Sequence, residues 1–352
     1  MAVLTRAVRV GDVIVGGAAR VSVQSMTNTR TADVEATAAQ IRSLENAGCE
    51  IVRFAVLDEA DAHAVRALKA CARTPLVADI HFDYKLAMRC MENGADKLRI
   101  NPGNIGSEAR VKAVADCAKA HRVPIRVGVN AGSLEKELLV KYGAPKPEAL
   151  VESALSHARL LEKAGFEDII LSVKSSSVRD TVDAYRMLSA RCDHPLHVGV
   201  TEAGGGELAV VKSAAGIGTL LLEGIGDTIR VSLTGNPVHE VEAGIELLRA
   251  IGLRREGVEV ISCPTCGRCY NVEAQGALAE RIRREFAHEK RYLKVAVMGC
   301  AVNGPGEARE ADMGIAFGRG NAVLFERGEV RASGALPQIA EELIARIRAR
   351  LT

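Results

Sequence analysis

Short apolar runs alternate with amphipathic segments over the first two-thirds of the chain. The intervening segments have helical periodicity, and two of them, residues 33–48 and 147–165, end in glycine, a common residue just past a helix. Because strand-like and helix-like segments alternate, we expect parallel strands joined by helical crossovers. The apolar runs are RVSVQS (20–25), IVRFAV (51–56), PLVADI (75–80), KLRIN (97–101), PIRVGVN (124–130), DIILSVK (168–174), PLHVGVT (195–201) and TIRVSLTG (228–235).

Eight such units fit a (β/α)8 TIM barrel, which typically needs about 250 residues, and we assign the barrel to residues 1–252. A doubly wound open sheet is the structural alternative. Its dinucleotide-binding form carries Gly-x-Gly-x-x-Gly after the first strand, and no such motif follows the first run here. The glycines of GGGELA (204–209) lack that spacing and are interpreted as an active-site loop.

The pattern changes in the last third, and residues 253–352 are predicted to form a smaller α/β domain. A helix-like stretch (271–289) is followed by strands (294–299 and 312–318), a hairpin (321–333) and a closing helix (336–350). The cysteines of this domain are expected in loops at strand ends.

Polar and charged side chains stand at the carboxyl ends of the predicted barrel strands, where barrel active sites lie. They are Arg53, Arg99, Asn101, Arg126, Asn130, Lys174, Thr201, Glu202, Arg230 and Ser232. Cations inside apolar strands are costly unless an anion pairs with them, and arginine suits phosphate. The set therefore predicts a diphosphate or bisphosphate ligand. Alternatively, each arginine pairs with a structural carboxylate such as Asp79.

Composition excludes several other classes of protein. The net charge is only +2, there is no tryptophan and aromatic residues make up 3%, which is poor for binding nucleic acid. No apolar stretch has the length of a membrane span, and no signal peptide is evident. Nine cysteines, an odd number, argue against a disulfide framework, so we expect a cytoplasmic protein.

Four of these cysteines have metal-ligand spacing. They are Cys263, Cys266 and Cys269 in SCPTCGRCY and Cys300 in MGCAVNGPGEA. Zinc and an iron–sulfur cluster are the two options. Four thiolates would give a structural site or an electron carrier. The small residues around Cys300 would admit a bulky cluster, and Glu307 could supply a labile oxygen ligand that leaves one exchangeable position.

The chain resembles the 4-hydroxy-3-methylbut-2-en-1-yl diphosphate synthase family, also called IspG or GcpE. The resemblance rests on SCPTCGR and MGCAVNGPGE, and on the barrel pieces VQSMTNT, ADIHFDYKLA, LRINPGNIG, IRVGVNAGSL, SVKSS and VGVTEAG. It runs from about Val21 to Glu307 and, more loosely, to the C-terminus, and the length fits the bacterial two-domain form.

The resemblance implies a reaction and a cofactor. In the non-mevalonate isoprenoid pathway, 2-C-methyl-D-erythritol 2,4-cyclodiphosphate is opened reductively and dehydrated to (E)-4-hydroxy-3-methylbut-2-enyl diphosphate. The family holds a 4Fe–4S cluster with three cysteines and one glutamate. Carried over, these are Cys263, Cys266, Cys300 and Glu307, whereas Cys269 departs from the family pattern and is predicted not to be a ligand.

The resemblance also implies roles for other residues. Glu202 is the expected catalytic carboxylate and general acid, with a salt bridge to a neighbouring arginine as the alternative. His81 and His197 are expected to be structural. The predicted substrate-binding residues are Arg53, Arg99, Arg126 and Lys174 for the diphosphate, Asn101 and Asn130 for its orientation, and Ser262 and Asn303 beside the cluster ligands.

Electrons must come from a partner, because the sequence has no flavin or nicotinamide motif. The family implies reduced flavodoxin or ferredoxin, and a homodimer in which the cluster domain of one chain covers the barrel of the other; closure within one chain is the alternative. Two other functions stay open. One is a phosphate-binding barrel fused to a structural zinc-ribbon module, and the other is a barrel that acts on pterin-type substrates.

Overall fold

The computed structural model describes residues 4–81, 83–101, 105–287, 289–300, 306 and 308–352. The chain divides into two compact units, Met1–Leu253 and Arg254–Thr352. Within the described ranges, every helix is too short or too polar to span a bilayer.

The first unit opens with a small antiparallel hairpin of strands β1 (Val8–Val10) and β2 (Val13–Val15). Its valines pack against apolar side chains near the amino ends of three barrel strands. This cluster is Val8, Val10, Val15, Ile51, Val77 and Ile170. The hairpin thus supplies an apolar floor at the amino-terminal end of the barrel. Sequence analysis did not identify it, because three-residue strands are too short to show alternation.

Eight parallel strands of the described chain then form the barrel, each followed by one or more helices. The strands are β3 (Ser22–Met26), β4 (Ile51–Ala55), β5 (Leu76–Asp79), β6 (Lys97–Ile100), β7 (Ile125–Asn130), β8 (Ile169–Lys174), β9 (His197–Val198) and β10 (Thr228–Ile229). The helices are α1 (Val34–Asn46), α2 (Glu59–Cys71), α3 (Tyr84–Glu92), α4 (Glu108–His121), a short 3₁₀ helix (Ala131–Ser133), α5 (Lys136–Tyr142), α6 (Pro147–Lys163), α7 (Val178–Ser189), α8 (Gly206–Leu222) and α9 (Val238–Ala250).

Strand order shows that this sheet closes. The hydrogen-bonded order is β8-β7-β6-β5-β4-β3-β10-β9, and a parallel bridge between Leu171 and Leu196 joins the two ends. The Leu171 amide donates to the Pro195 carbonyl at 2.9 Å. The predicted barrel is therefore confirmed, and the open sheet is excluded.

Local sequence signals set the helix ends. The Asp33 side chain accepts a hydrogen bond from the Ala36 amide at the start of α1, and the Ser177 hydroxyl does the same for the Asp180 amide in α7. After α1 the chain reverses through Gly48, whose φ of +94° favours glycine, and a Cβ there would lie 2.9 Å from Ile245 Cδ1.

Alternation along the barrel strands places apolar residues outside and polar residues inside. On β7, Val127 and Val129 belong to the apolar core beneath the helices, whereas Arg126 shares the opposite face with Gly128 and Asn130. A TIM barrel interior is usually filled by branched apolar side chains. Here the apolar floor lies under a polar, charged interior.

The second unit is a five-stranded mixed sheet of the described residues with two helices against one face. In chain order its elements are β11 (Val258–Ser262), α10 (Val272–Glu285), β12 (Leu293–Met298), β13 (Met313–Phe317), β14 (Asn321–Glu326), β15 (Glu329–Ala335) and α11 (Leu336–Arg350). Strand order follows the chain, with parallel pairing from β11 to β13 and antiparallel pairing from β13 to β15. Sequence analysis did not identify β11.

We expect the hairpin floor to contribute to the stability of the barrel. Val15→Ala removes two methyl groups from a fully buried side chain and should lower the free energy of unfolding by about 2 kcal/mol. Val13→Ala, at a half-buried position of the same strand, is the matched control. Urea unfolding measures both, and equal losses would contradict a packed floor.

Candidate active site

The barrel interior brings Arg53 and Arg99 to one carboxylate. Arg99 Nη1 lies 3.1 Å from Asp79 Oδ1, and Arg53 Nε lies 3.7 Å from Asp79 Oδ2. Burial disfavours the charged form of Asp79, but the charges of Arg53, Arg99 and Arg126 outweigh it and lower its pKa to about 2. The two arginines therefore do pair with a structural carboxylate, as the alternative interpretation predicted, and Asp79 balances part of their positive charge.

Arg126 and Lys174 are two further buried cations. Arg126 is 1% exposed, and its Nη1 donates to Ser172 Oγ at 2.7 Å, while Nε and Nη2 have no hydrogen-bond partner among the described residues. Burial, and then the neighbouring arginines Arg126 and Arg53, lower the pKa of Lys174 well below its usual value. An anion bound here would stabilise both side chains.

Two glycines make room for these cations. A Cβ on Gly128 would lie 2.5 Å from Arg99 Nε, and the Gly128 carbonyl accepts from Arg99 Nη2 at 2.9 Å. A Cβ on Gly199 would lie 2.7 Å from Lys174 Nζ. The absence of a side chain at both positions therefore allows Arg99 and Lys174 to lie across neighbouring strands.

Arg230 has a carboxylate partner of its own. Its Nε and Nη2 each lie 3.0 Å from an oxygen of Glu240, a buried residue of α9. Glu240 also accepts hydrogen bonds from the Ser25 hydroxyl and the Leu233 amide. Arg230 is therefore fixed by this bidentate pair at the end of β10.

The predicted polar residues lie at the carboxyl ends of the strands. Asn101 follows β6 and is 3% exposed, and Asn130 ends β7 in register with Lys174. Glu202 is exposed in the loop after β9, and its φ of +52° lies in the left-handed region, which is uncommon for a residue other than glycine. Such backbone strain recurs at functional sites.

Two histidines and a lysine lie near these residues, with His81 exposed and the other two buried. His81 Nε2 lies 3.9 Å from Asp79 Oδ1, and His197 is fully buried, with its pKa lowered well below the usual value by burial and then by Lys174. Sequence analysis missed Lys97, which is fully buried and donates to Gln24 Oε1 at 3.1 Å. Its place two residues before Arg99 on one strand was an available signal.

The second unit brings two cysteine-bearing loops together. Cys263 directly follows β11, and Cys300 follows β12 after Gly299. Because these strands are parallel and adjacent, with Ser262 in register with Val297, the residues that directly follow them, Cys263 and Gly299, lie at one edge of the sheet. The Gly299 amide donates to Cys263 Sγ at 3.2 Å.

The remaining cysteines lie in the loop between β11 and α10. The Cys269 amide donates to the Cys266 carbonyl at 2.8 Å, which folds the loop back on itself. Cys266 is exposed, and the backbone N–H of Arg268, followed by its side chain, lowers the pKa of the Cys266 thiol. A lowered thiol pKa favours the thiolate, the form that binds metals.

The structure does not describe every predicted site residue. Glu307, a predicted cluster ligand, and Asn303, a predicted substrate contact, lie outside the described residues. In the described part of the chain, no group of three or more His, Cys, Asp or Glu side chains is arranged to hold a metal ion. The cysteine loops nevertheless suit a sulfur-rich cofactor, because they combine soft sulfur ligands, a backbone N–H donor on Cys263 Sγ and a glycine where a Cβ would lie 2.6 Å from Cys269 Sγ.

Two family domains match this chain, one for each unit. The GcpE TIM-barrel domain matches residues 5–245, and the GcpE protein C-terminal domain matches residues 259–349. The chain belongs to the GcpE family. The resemblance found in the sequence motifs is thereby confirmed.

Similar proteins from bacteria match almost the whole chain. The protein of Caldanaerobacter subterraneus subsp. tengcongensis is 56% identical over 98% of this chain and 96% of its own length. That of Clostridium perfringens is 55% identical over 97% of each. Both are named 4-hydroxy-3-methylbut-2-en-1-yl diphosphate synthase (flavodoxin).

A solved structure outside the family supports the barrel fold alone. Dihydropteroate synthase from Stenotrophomonas maltophilia aligns with 70% of this chain and 97% of its own, at a TM-score of 0.51 and 14% identity.

We expect Asp79 to stabilise the GcpE barrel by compensating its buried cations. Asp79→Asn leaves Arg53 and Arg99 without their carboxylate and should lower the free energy of unfolding by about 3 kcal/mol. Asp193→Asn is the control, because Asp193 pairs with Arg6 at the surface, where such pairs contribute about 0–1 kcal/mol. Urea unfolding at low salt measures both, and a loss no larger than that of the control would contradict this role.

Proposed function

We infer that this chain is an iron–sulfur oxidoreductase that converts 2-C-methyl-D-erythritol 2,4-cyclodiphosphate to (E)-4-hydroxy-3-methylbut-2-enyl diphosphate. The observation that carries the inference is the match of both domains to relatives that bear this enzyme's name over nearly their full length. The reaction opens the cyclic diphosphate with two electrons and releases water. It is a step of the non-mevalonate isoprenoid pathway.

We assign diphosphate binding to the barrel cations Arg53, Arg99, Arg126 and Lys174. The charge balance supports this assignment. Two of the four cations, Arg53 and Arg99, pair with Asp79, and one carboxylate cannot balance the positive charge of all four. A diphosphate would complete the hydrogen bonds of Arg126 and stabilise the negative charge that develops on oxygen as the ring C–O bond breaks. Asn101 and Asn130, at the ends of β6 and β7, would orient it.

We assign the proton transfer to Glu202. Its exposure at the carboxyl end of the barrel would let it reach the hydroxyl that leaves as water, and its strained backbone supports a functional role. Ser262, at the end of β11, and Asn303 are proposed substrate contacts from the second domain.

We propose that Cys263, Cys266, Cys300 and Glu307 hold a 4Fe–4S cluster, with Cys269 outside the ligand set. The meeting of the two loops at the ends of β11 and β12 supports this set. When bound, the cluster supplies the electrons of the reduction. Glu307 would act as the replaceable ligand that leaves room for substrate.

Partners and compartment follow from the same proposal. The relatives' names specify flavodoxin, so we propose reduced flavodoxin as the donor, with ferredoxin as the alternative. We propose a homodimer in which the cluster domain of one chain covers the barrel of the other. None of the nine cysteines, all of which lie in the described residues, is in a disulfide bond, which suits the cytoplasm.

The other two functions are less well supported. A zinc-ribbon module would not account for an enzyme name carried by relatives across both domains. A pterin-type substrate has only the barrel fold of dihydropteroate synthase in its favour, at 14% identity.

Binding of the cyclic diphosphate should be accompanied by proton uptake. In the free protein the Lys174 pKa lies well below its usual 10.5, so the amine loses its proton as the pH rises through that lowered pKa. A bound diphosphate raises the pKa again, so affinity should fall with rising pH in the window between the lowered pKa and 10.5. Calorimetry in two buffers of different ionisation enthalpy measures the uptake, which Lys174→Met should reduce. Binding without uptake would contradict the assignment.

The cofactor and ligand set can be tested on the protein purified without air. We expect a brown protein with about four irons per chain and reductive turnover with dithionite or reduced flavodoxin. Glu307→Cys should keep a cluster but lose turnover, because a fourth thiolate leaves no exchangeable position. Cys269→Ser should keep both and serves as the control. A colourless protein with one zinc, or a fully active Glu307→Cys variant, would overturn the proposal.

A further inference from the structure

A buried glutamine lies between two of the loop cysteines. Gln275, in the first turns of α10, is 1% exposed, although its helix is amphipathic and carries its other polar residues outward. Its Nε2 lies 3.0 Å from the Val297 carbonyl, 3.2 Å from the Cys263 carbonyl and 3.4 Å from Cys263 Sγ. Its Oε1 lies 3.3 Å from Cys269 Sγ.

Two backbone carbonyls fix the direction of this amide. A side-chain amide can be turned end for end, and the choice must follow its hydrogen-bond partners. The carbonyls of Val297 and Cys263 can only accept, so the NH₂ end must face them. The oxygen end therefore faces Cys269, where a hydrogen bond requires the sulfur to be the donor.

The two sulfurs consequently meet opposite ends of one amide. Cys263 Sγ faces two donor groups, the Gly299 amide at 3.2 Å and the Gln275 NH₂ group, whose two hydrogens it shares with the Val297 and Cys263 carbonyls, as suits a sulfur that carries negative charge. Cys269 Sγ faces an acceptor and, as an S–H donor, is not free to bind metal while that bond lasts.

Close packing maintains this arrangement. A Cβ on Gly299 would lie 2.6 Å from Cys269 Sγ and 2.9 Å from Gln275 Oε1, so the glycine backbone closes directly over the bonded pair. Gln275 also joins β12, through Val297, to the loop after β11, through Cys263.

We propose that Gln275 is a positioning residue that selects the cluster ligands, holding Cys263 as a ligand and keeping the extra thiol of Cys269 away from the cluster. The inference rests on the proposed function. It predicts that Cys269 competes for the replaceable position of Glu307 once Gln275 is lost. An all-thiolate cluster would then lack the exchangeable site that the reaction needs.

Mössbauer spectra of protein reconstituted with ⁵⁷Fe test this selection without measuring turnover. In the unchanged protein one iron should differ from the other three, because its ligand is oxygen. Gln275→Leu should weaken that distinct signal by more than half at unchanged iron content. Gln275→Leu combined with Cys269→Ser should restore it, whereas Cys269→Ser alone should leave the spectrum as it is.

A second measurement covers a Gln275→Leu variant that fails to assemble a cluster. In the iron-free protein, Gln275→Met should speed alkylation of Cys269 by iodoacetamide about fivefold, because the loss of one hydrogen bond of about 1 kcal/mol corresponds to that factor. Mass spectrometry of the peptide that contains Cys269 measures the labelling. Unchanged labelling, an unchanged spectrum in Gln275→Leu, or a spectrum that Cys269→Ser does not restore would overturn the selection. Absence of iron from the unchanged protein would instead count against the proposed function.

Discussion

Buried positive charge in the barrel is the constraint on which the first unit depends. Arg53 and Arg99 share the carboxylate of Asp79, while Lys97 donates a hydrogen bond to the neutral Gln24 amide oxygen. An interior of this kind contributes little apolar burial, so the stability of the barrel must come from elsewhere. The strands turn their apolar residues toward the surrounding helices, and the amino-terminal hairpin closes the floor with valines. Apolar packing against the surrounding helices and the hairpin thus offsets the destabilising effect of the buried cations.

The burial of these cations also bears on function, because it changes their pKa values. Burial lowers the pKa of Arg53 to about 10, although Asp79 opposes the shift, and lowers that of Lys97 well below its usual value. In the free barrel, burial therefore disfavours the charged forms of these side chains, and a bound anion would stabilise them. In the diphosphate-binding assignment that we propose, anion binding and protonation of the buried lysines are coupled, which suits a diphosphate whose charge must be stabilised as a C–O bond breaks.

Sequence reasoning succeeded where one pattern was repeated and failed where the signal was short or tertiary. The barrel followed from apolar runs at regular intervals, and its cations stood out as charges within those runs. The hairpin was missed because each of its strands has three residues. Strand β11 was missed although VEV alternates apolar and polar residues, because the run is short and leads directly into the cysteine loop. Asp79 was foreseen only as an alternative partner, because sequence shows which charges exist but not which ones meet across strands.

The cysteine loop shows the same limit at the level of single atoms. By spacing, Cys263, Cys266 and Cys269 are equivalent, and only the family pattern separates the third from the others. In the fold they differ, because the sheet edge gives Cys263 the Gly299 amide as a donor, while Gln275 turns its oxygen toward Cys269. In sequence Gln275 is one polar residue of an amphipathic helix. The orientation of its amide depends on two carbonyls, those of Val297 and Cys263, which come together when β11 pairs with β12. In the ligand selection that we propose, the cysteine spacing supplies the candidate ligands, and the pairing of β11 with β12 decides between Cys263 and Cys269.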